Sequence, residues 1–255
     1  MKTNPDITNI NLASVDKTGF FCYMSKRKEA GYQNKLQWVK ARLAEGLRIK
    51  MILPPAGRGF IEYIPGEYAW RAVHAAGYMF IHCLWIVGRT RGQGHASVLL
   101  EECISDARRS NMHGVAMVTT EGTWLLQKGF LEKHGFVSIA QAPPAFDLMV
   151  LPFDNAPKPA FAGDWDAKLQ ACGTGLTLSY TDQCPYIANM VKYFQQVATE
   201  MGVPARAVKL NSAAAVRRFS PSPYGVFNAV LNGKLLSYHF LKKEELSEKL
   251  SSLQK

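Results

Sequence analysis

An apolar run from Tyr78 to Val87, interrupted only by His82, passes through GRTRGQG into HASVLLEECISDARR. Being apolar on both faces, the run reads as a strand at the centre of a sheet, covered by a layer on each side. The segment after the glycines carries Leu99, Leu100, Cys103, Ile104 and Ala107 as one helical stripe. Arg108 and Arg109 lie at its end, where cations favour the helix dipole. A buried strand turned through glycines into a helix confines this part of the chain to an α/β layer.

The neighbouring segments agree with that layer. Leu36, Val39, Leu43 and Leu47 predict a helix over GYQNKLQWVKARLAEGL, ended by Gly46. LRIKMILP and GFIEYIPG read as strands, as do GVAMVTT, FVSIA and AFDLMVL. TWLLQKGFLEKHGF reads as a helix stopped by Gly135. At PFDNAPKPAFAG the composition shifts to Pro and Gly without periodicity, which marks a linker. The expected division is therefore residues 1–152, a linker over 153–170, and a second domain over 171–255. That second domain reads β-α-β-β-β-α, with Asn232-Gly233 as a hairpin turn.

At 255 residues and 47% hydrophobic, the chain can bury a core in each domain. No run approaches the ~20 apolar residues of a membrane span. The polar start MKTNPDITNINLASVD lacks the apolar segment of a secretory signal. Five scattered cysteines, without CxxC or a His/Cys cluster, argue against a disulfide framework or structural zinc and point to a reducing cytoplasm. The net charge is +10, and residues 1–50 hold ten Lys/Arg against four Asp/Glu. Such a balance suits an anionic ligand. Nucleic-acid binding ranks well below the other readings, because the basic stretch carries no recognised motif.

Gly92 and Gly94 allow close backbone approach, and the first-turn N–H groups of the helix can cradle a pyrophosphate. The loop is neither GxGxxG nor a P-loop. LWIVGRTRGQGHASVLLEECISDAR resembles the acetyl-CoA motif of the GNAT superfamily of N-acyltransferases, Gln/Arg-x-x-Gly-x-Gly/Ala, matched at Arg91, Gly94 and Ala96. Together with GFIEYIPGEYAWR, FLEKHGF and PAFDLMVLPF, it resembles the YoaP-type acetyltransferases in particular.

The resemblance implies a GNAT-type mixed central sheet flanked by helices, with acetyl-CoA as co-substrate, no metal, and an amine acceptor. Carried over by position, the loop residues Arg91, Gly92, Gln93, Gly94, His95, Ala96 and Ser97 would hold the pyrophosphate. Leu84 and Ile86 would line up with the thioester and pantetheine arm. Where relatives place an acidic tyrosine this chain has Leu131, and where they often place Asn it has Trp124. Those departures motivate the alternative, an acyl-CoA sensor or adaptor without turnover.

Deprotonating an ammonium near pKa ~10 calls for a positioned base. Glu62, Glu67 and His82 are the candidates, with Glu62 and His82 foremost. His82 stands two residues before Leu84, hence on the same strand face. A core histidine bonded to a backbone carbonyl fits it equally well. Burial of Glu62 between Phe60 and Ile64 would raise its pKa, and pairing with Arg58 or Arg71 is the plainer role. Tyr63 or Tyr68 are hydroxyls able to protonate the thiolate, and Tyr63, Tyr68 and Trp70 could wall an acceptor pocket. His134 reads as a helix C-terminal cap.

In the second domain, Cys184-Pro185-Tyr186-Ile187 resembles the CPYC loop of glutaredoxins with the second cysteine replaced, within a thioredoxin-like order of elements. Pro223 stands near that fold's cis-proline, and Cys172 is a candidate partner for Cys184. A structural or partner-docking role and monothiol chemistry both remain open for this domain.

Overall fold

The computed structural model describes residues 5–88, 91–122 and 125–252. Within them lie two compact units. Residues up to 25, 36–69 and 73–161 make the first, and 26–35, 70–72 and 162 onward make the second.

The elements through residue 161 are β1 (Ile7–Ile10), α1 (Val15–Thr18), α2 (Ala30–Leu43), β2 (Arg48–Ile52), β3 (Gly59–Pro65), β4 (Val73–His74), β5 (Met79–Ile86), α3 (His95–Arg109), β6 (Gly114–Thr120), α4 (Lys128–Glu132), β7 (Val137–Ala142), β8 (Phe146–Pro152) and β9 (Ala160–Phe161). Seven strands form one sheet in the order β1-β2-β3-β5-β6-β8-β7, while β4 and β9 make a separate ribbon. Neighbours in the large sheet are antiparallel except β5 and β6, which α3 connects as a parallel pair.

One face of the sheet presents Ile52, Ile61, Tyr63, Ile81, Leu84, Val115 and Met117 to Leu99, Leu100, Cys103, Ile104 and Ala107 of α3. Burying Leu99, Leu100 and Ile104 contributes about 1.5–3 kcal/mol each, so this apolar stripe holds the helix in place. The expected bounds of α3 match the structure residue for residue. A charged cluster lies on the same face. Asp106 of α3 accepts from Tyr63 Oη at 2.5 Å and pairs with Arg48 at 2.8 Å, Lys50 at 3.1 Å and Arg109. Burial alone would raise the Asp106 pKa, but the hydrogen bonds from Tyr63, Arg48 and Lys50 prevail and lower it to about 2.

The second unit adds α5 (Trp165–Gln170), β10 (Leu176–Tyr180), α6 (Ile187–Glu200), β11 (Ala205–Lys209), α7 (Ala213–Phe219), β12 (Phe227–Leu231), β13 (Lys234–Ser237) and α8 (Lys243–Ser252). Its sheet runs β11-β10-β12-β13, with β10 parallel to β11 and antiparallel to β12. Asn232 and Gly233 both take positive φ (50° and 72°), the geometry of a two-residue hairpin turn, as their sequence foretells.

Several expectations change. The helix foreseen over TWLLQKGFLEKHGF is confined to Lys128–Glu132 in α4, and Thr123 and Trp124 lie outside the described residues. The stretch 153–170, read as linker, carries β9 and the Asp164-capped α5. Helix α6 starts at Ile187, two residues beyond Pro185. The helix α7 was not foreseen, although Ser212 caps it by accepting from the Ala215 N–H. The cis peptide bonds among the described residues are Pro54-Pro55 and Pro143-Pro144, so Pro223 is not a cis-proline.

Candidate functional site

The parallel pairing of β5 with β6 joins Met79–Ile81 to Val115–Met117 and ends there. Beyond that point β5 continues to Ile86, and β6 continues to Thr120 paired with β8 on its other side. The facing edges of the two strands therefore part toward their carboxyl ends, where open α/β sheets receive ligands. A parted strand edge offers backbone donors and acceptors to an extended, amide-bearing chain. Leu84 and Ile86 turn their side chains into the core against α3, so their main chain is what faces the gap.

Helix α3 begins beside this gap. Gly94 precedes it at φ 87°, Gly92 stands at φ 78°, and a Cβ added to either would meet nothing within 4 Å. No side chain caps the first turn of α3 among the described residues. Its leading N–H groups have no intrahelical acceptor, the condition under which the start of a fifteen-residue helix can receive an anion. Arg91 ties the loop back to the strand, donating from Nε to the Ile86 carbonyl at 3.1 Å, with its guanidinium 5.4 Å from the Trp85 ring centre. Gln93 is exposed and Ala96 half-buried on the first turn.

The side chains of His95 and Ser97 are engaged elsewhere. The His95 ring packs under Gly57, where an added Cβ would lie 2.7 Å from its Cε1. The Ser97 hydroxyl meets His134 Nε2 at 2.9 Å, and His134 Nδ1 donates to the Phe130 carbonyl at 2.9 Å. His134 thus caps the last turn of α4, as expected, and also braces the start of α3. Sequence reasoning missed this second bond, because a contact across 37 residues leaves no local pattern.

Glu62 on β3 and His82 on β5 come together, with Glu62 Oε1 3.4 Å from His82 Nδ1. Both are buried, at 3% and 1% exposure. Their meeting depends on an irregularity in the sheet. Glu62 pairs with Cys83, but Tyr63 pairs with Ile81, so β5 holds one extra residue at His82. This bulge reverses the alternation, and the expectation that His82 shares a face with Leu84 is corrected. Ile81 and Leu84 face α3. His82 faces the other way, its ring 6.0 Å from Trp38 and 6.2 Å from Phe80.

Other candidates are placed away from this pair. Tyr63 faces α3 and donates to Asp106, and burial first, then the surrounding negative charge, pushes its pKa far up. Its hydroxyl is committed to Asp106, on the face away from Glu62 and His82. Leu131 is fully buried in the α3-side core, so the position where relatives are expected to carry a tyrosine is here a packing position. Tyr68 and Glu67 lie on a short 3₁₀ turn, with Tyr68 exposed. Trp70 groups with the second unit. Among the described residues no group of three or more His, Cys, Asp or Glu could hold a metal ion.

A mixed sheet parted beside a glycine-led helix, with a buried acid–histidine pair on β3 and β5, is an α/β arrangement with room at the strand ends for an extended ligand. The chain is 30% identical over 245 residues to the uncharacterized N-acetyltransferase YoaP of Bacillus subtilis strain 168, covering 94% of this chain and 96% of that protein. The chain belongs to the YoaP family of N-acetyltransferases. No family model matches it. Similar solved structures include Ard1 from Thermoplasma volcanium, at 18% identity and TM-score 0.43 over 60% of this chain and the whole of that one. A GNAT-family acetyltransferase from Staphylococcus aureus Mu50 is similar at 13% identity and TM-score 0.43, over 58% and 99% of the two chains. One from Brucella melitensis, solved with acetyl-CoA, is similar at 14% and 0.39, over 61% and 92%.

Proposed function

We propose that this N-acetyltransferase moves an acetyl group directly from acetyl-CoA to an amine, with both bound at the gap between β5 and β6. The observation that carries the reading is the parting of those strands beside the first turn of α3. The backbone of Gly92 through Ser97, with Arg91, would hold the diphosphate, and the main chain of Leu84 to Ile86 would pair with the pantetheine arm. Acetyl-CoA supplies an activated acyl group, and the chain's own work is to align it and to free the amine nitrogen of its proton. His82 takes that proton, and Glu62, 3.4 Å away, stabilises the imidazolium that results. With Tyr63 committed to Asp106 and Leu131 in the core, solvent protonates the departing thiolate.

For the second unit we infer a thioredoxin-like fold. Its β-α-β-α-β-β-α core, the sheet order β11-β10-β12-β13 and Cys184 just ahead of α6 support that reading. Cys172 makes a poor resolving thiol, since burial raises its pKa and its Sγ donates to the Lys168 carbonyl at 3.4 Å. The domain boundaries that go with this reading are residues 1–152 for the transferase and 171–255 for the second domain.

The experiment is CoA release from acetyl-CoA with a panel of amines, alongside calorimetric binding of acetyl-CoA. Micromolar acetyl-CoA binding with amine-dependent CoA release is expected. No binding at millimolar acetyl-CoA would defeat the proposal.

A further inference from the structure

We infer that the acceptor is a primary amine carried on an uncharged aromatic or apolar body, seated on the sheet face that holds Glu62 and His82; this rests on the transferase reading above. The register divides the two faces sharply by charge. Arg48 and Lys50 of β2 turn to α3 and meet Asp106. On the opposite face, within β2, β3 and β5, the ionisable side chains are Glu62, His82 and the Cys83 thiol, with no cation among them, set among aromatic rings. Phe60 lies two residues from Glu62 on that face and pairs across the strands with Trp85. Trp85, with the Arg91 guanidinium 5.4 Å from its ring centre, is still 41% exposed at the rim, while Phe60 is buried. Trp38 of α2 closes the other side against the His82 ring.

A second, independent feature points to the same place. Phe21 and Tyr23 both hold left-handed backbone, at φ 86° and 62°, a conformation unfavourable for a side-chain-bearing residue. That strained turn lays the Phe21 ring on Phe60, 4.8 Å between centres and 28° from parallel. Such strain persists where the surroundings demand one geometry. Here it presses an aromatic cover onto the strand that carries Glu62. The chemistry of such a place is selective. A protonated amine is drawn to the carboxylate, a ring stacks on Trp85, and a polycation or polyhydroxylated amine would leave polar groups without partners against apolar walls.

The test uses the full chain with acetyl-CoA and three acceptors: phenethylamine, propylamine and spermidine. We expect kcat/KM for phenethylamine to exceed that of the other two by about 10-fold or more. Trp85→Ala should reduce the phenethylamine-to-propylamine ratio by about 10-fold, and Trp85→Phe should restore most of it. Calorimetry with phenethylamine against propylamine, each with CoA present, should show the same preference without turnover. Equal or better use of propylamine or spermidine, or a ratio unmoved by Trp85→Ala, overturns the acceptor class and leaves the transferase reading standing. CoA release with none of the three, together with no binding of acetyl-CoA, overturns both.

Discussion

On the proposed mechanism, replacing His82 by Asn or Glu62 by Gln removes the proton acceptor or its stabilising charge while nearly keeping volume. Each should lower kcat by about 10²- to 10³-fold and leave the KM for acetyl-CoA within about twofold, a split that steady-state kinetics resolves. If both variants retain full kcat, the pair is structural. Tyr63→Phe makes the opposite test. It should cost about 1.5 kcal/mol of stability in urea unfolding, through the lost bond to Asp106, with kcat largely intact. At this scale the sequence was only partly legible. Glu62 and His82 stood out as ionisable groups in apolar strands, but the face of His82 did not follow from counting by twos. A bulge inserts a residue without any residue type that announces it, and only the partner strand's register reveals it.

Among the elements, α3 carries both the proposed anion cradle and the Asp106 cluster, so two measurements bear on it. Gly94→Val forces a β-branched residue into left-handed backbone and places a side chain over the loop. The KM for acetyl-CoA should rise about tenfold or more with the amine KM unchanged, whereas an unaltered acetyl-CoA KM would remove the loop from the site. The Asp106 pKa falls on folding from an ordinary value near 3.8 to about 2. Its ionised form therefore adds stability that is complete above about pH 4 and is lost as pH falls toward 2. Discounted for the part that solvent screens, this amounts to roughly 1–2 kcal/mol. Unfolding midpoints of Asp106→Asn and the parent should converge between pH 4 and pH 2 and stay apart at pH 6. The bounds of α3 were legible because its apolar stripe and glycine start are local signals. The helix over TWLLQKGFLEKHGF was overextended because Leu125, Leu126, Phe130 and Leu131 suit a core in more than one backbone form. Strand β1 was missed because ITNI is too short to show alternation before it pairs with β2.

For the whole molecule, the proposed mechanism uses groups of the first unit and does not call on the Cys184 thiol of the second. Cys184→Ser should leave kcat/KM for the amine within twofold in the presence or absence of dithiothreitol; a larger loss would join the two chemistries. The Pro- and Gly-rich stretch near residue 157 prompted the expectation of two domains, whereas no local pattern encodes the grouping of residues 26–35 and 70–72 with the second unit. Hydrogen exchange followed by mass spectrometry, with and without CoA, probes the parted strands directly. The account predicts slower exchange in peptides spanning Leu84 to Ile86 and Gly92 to Val98 when CoA is present. Exchange unchanged there, with protection appearing elsewhere or nowhere, would contradict it.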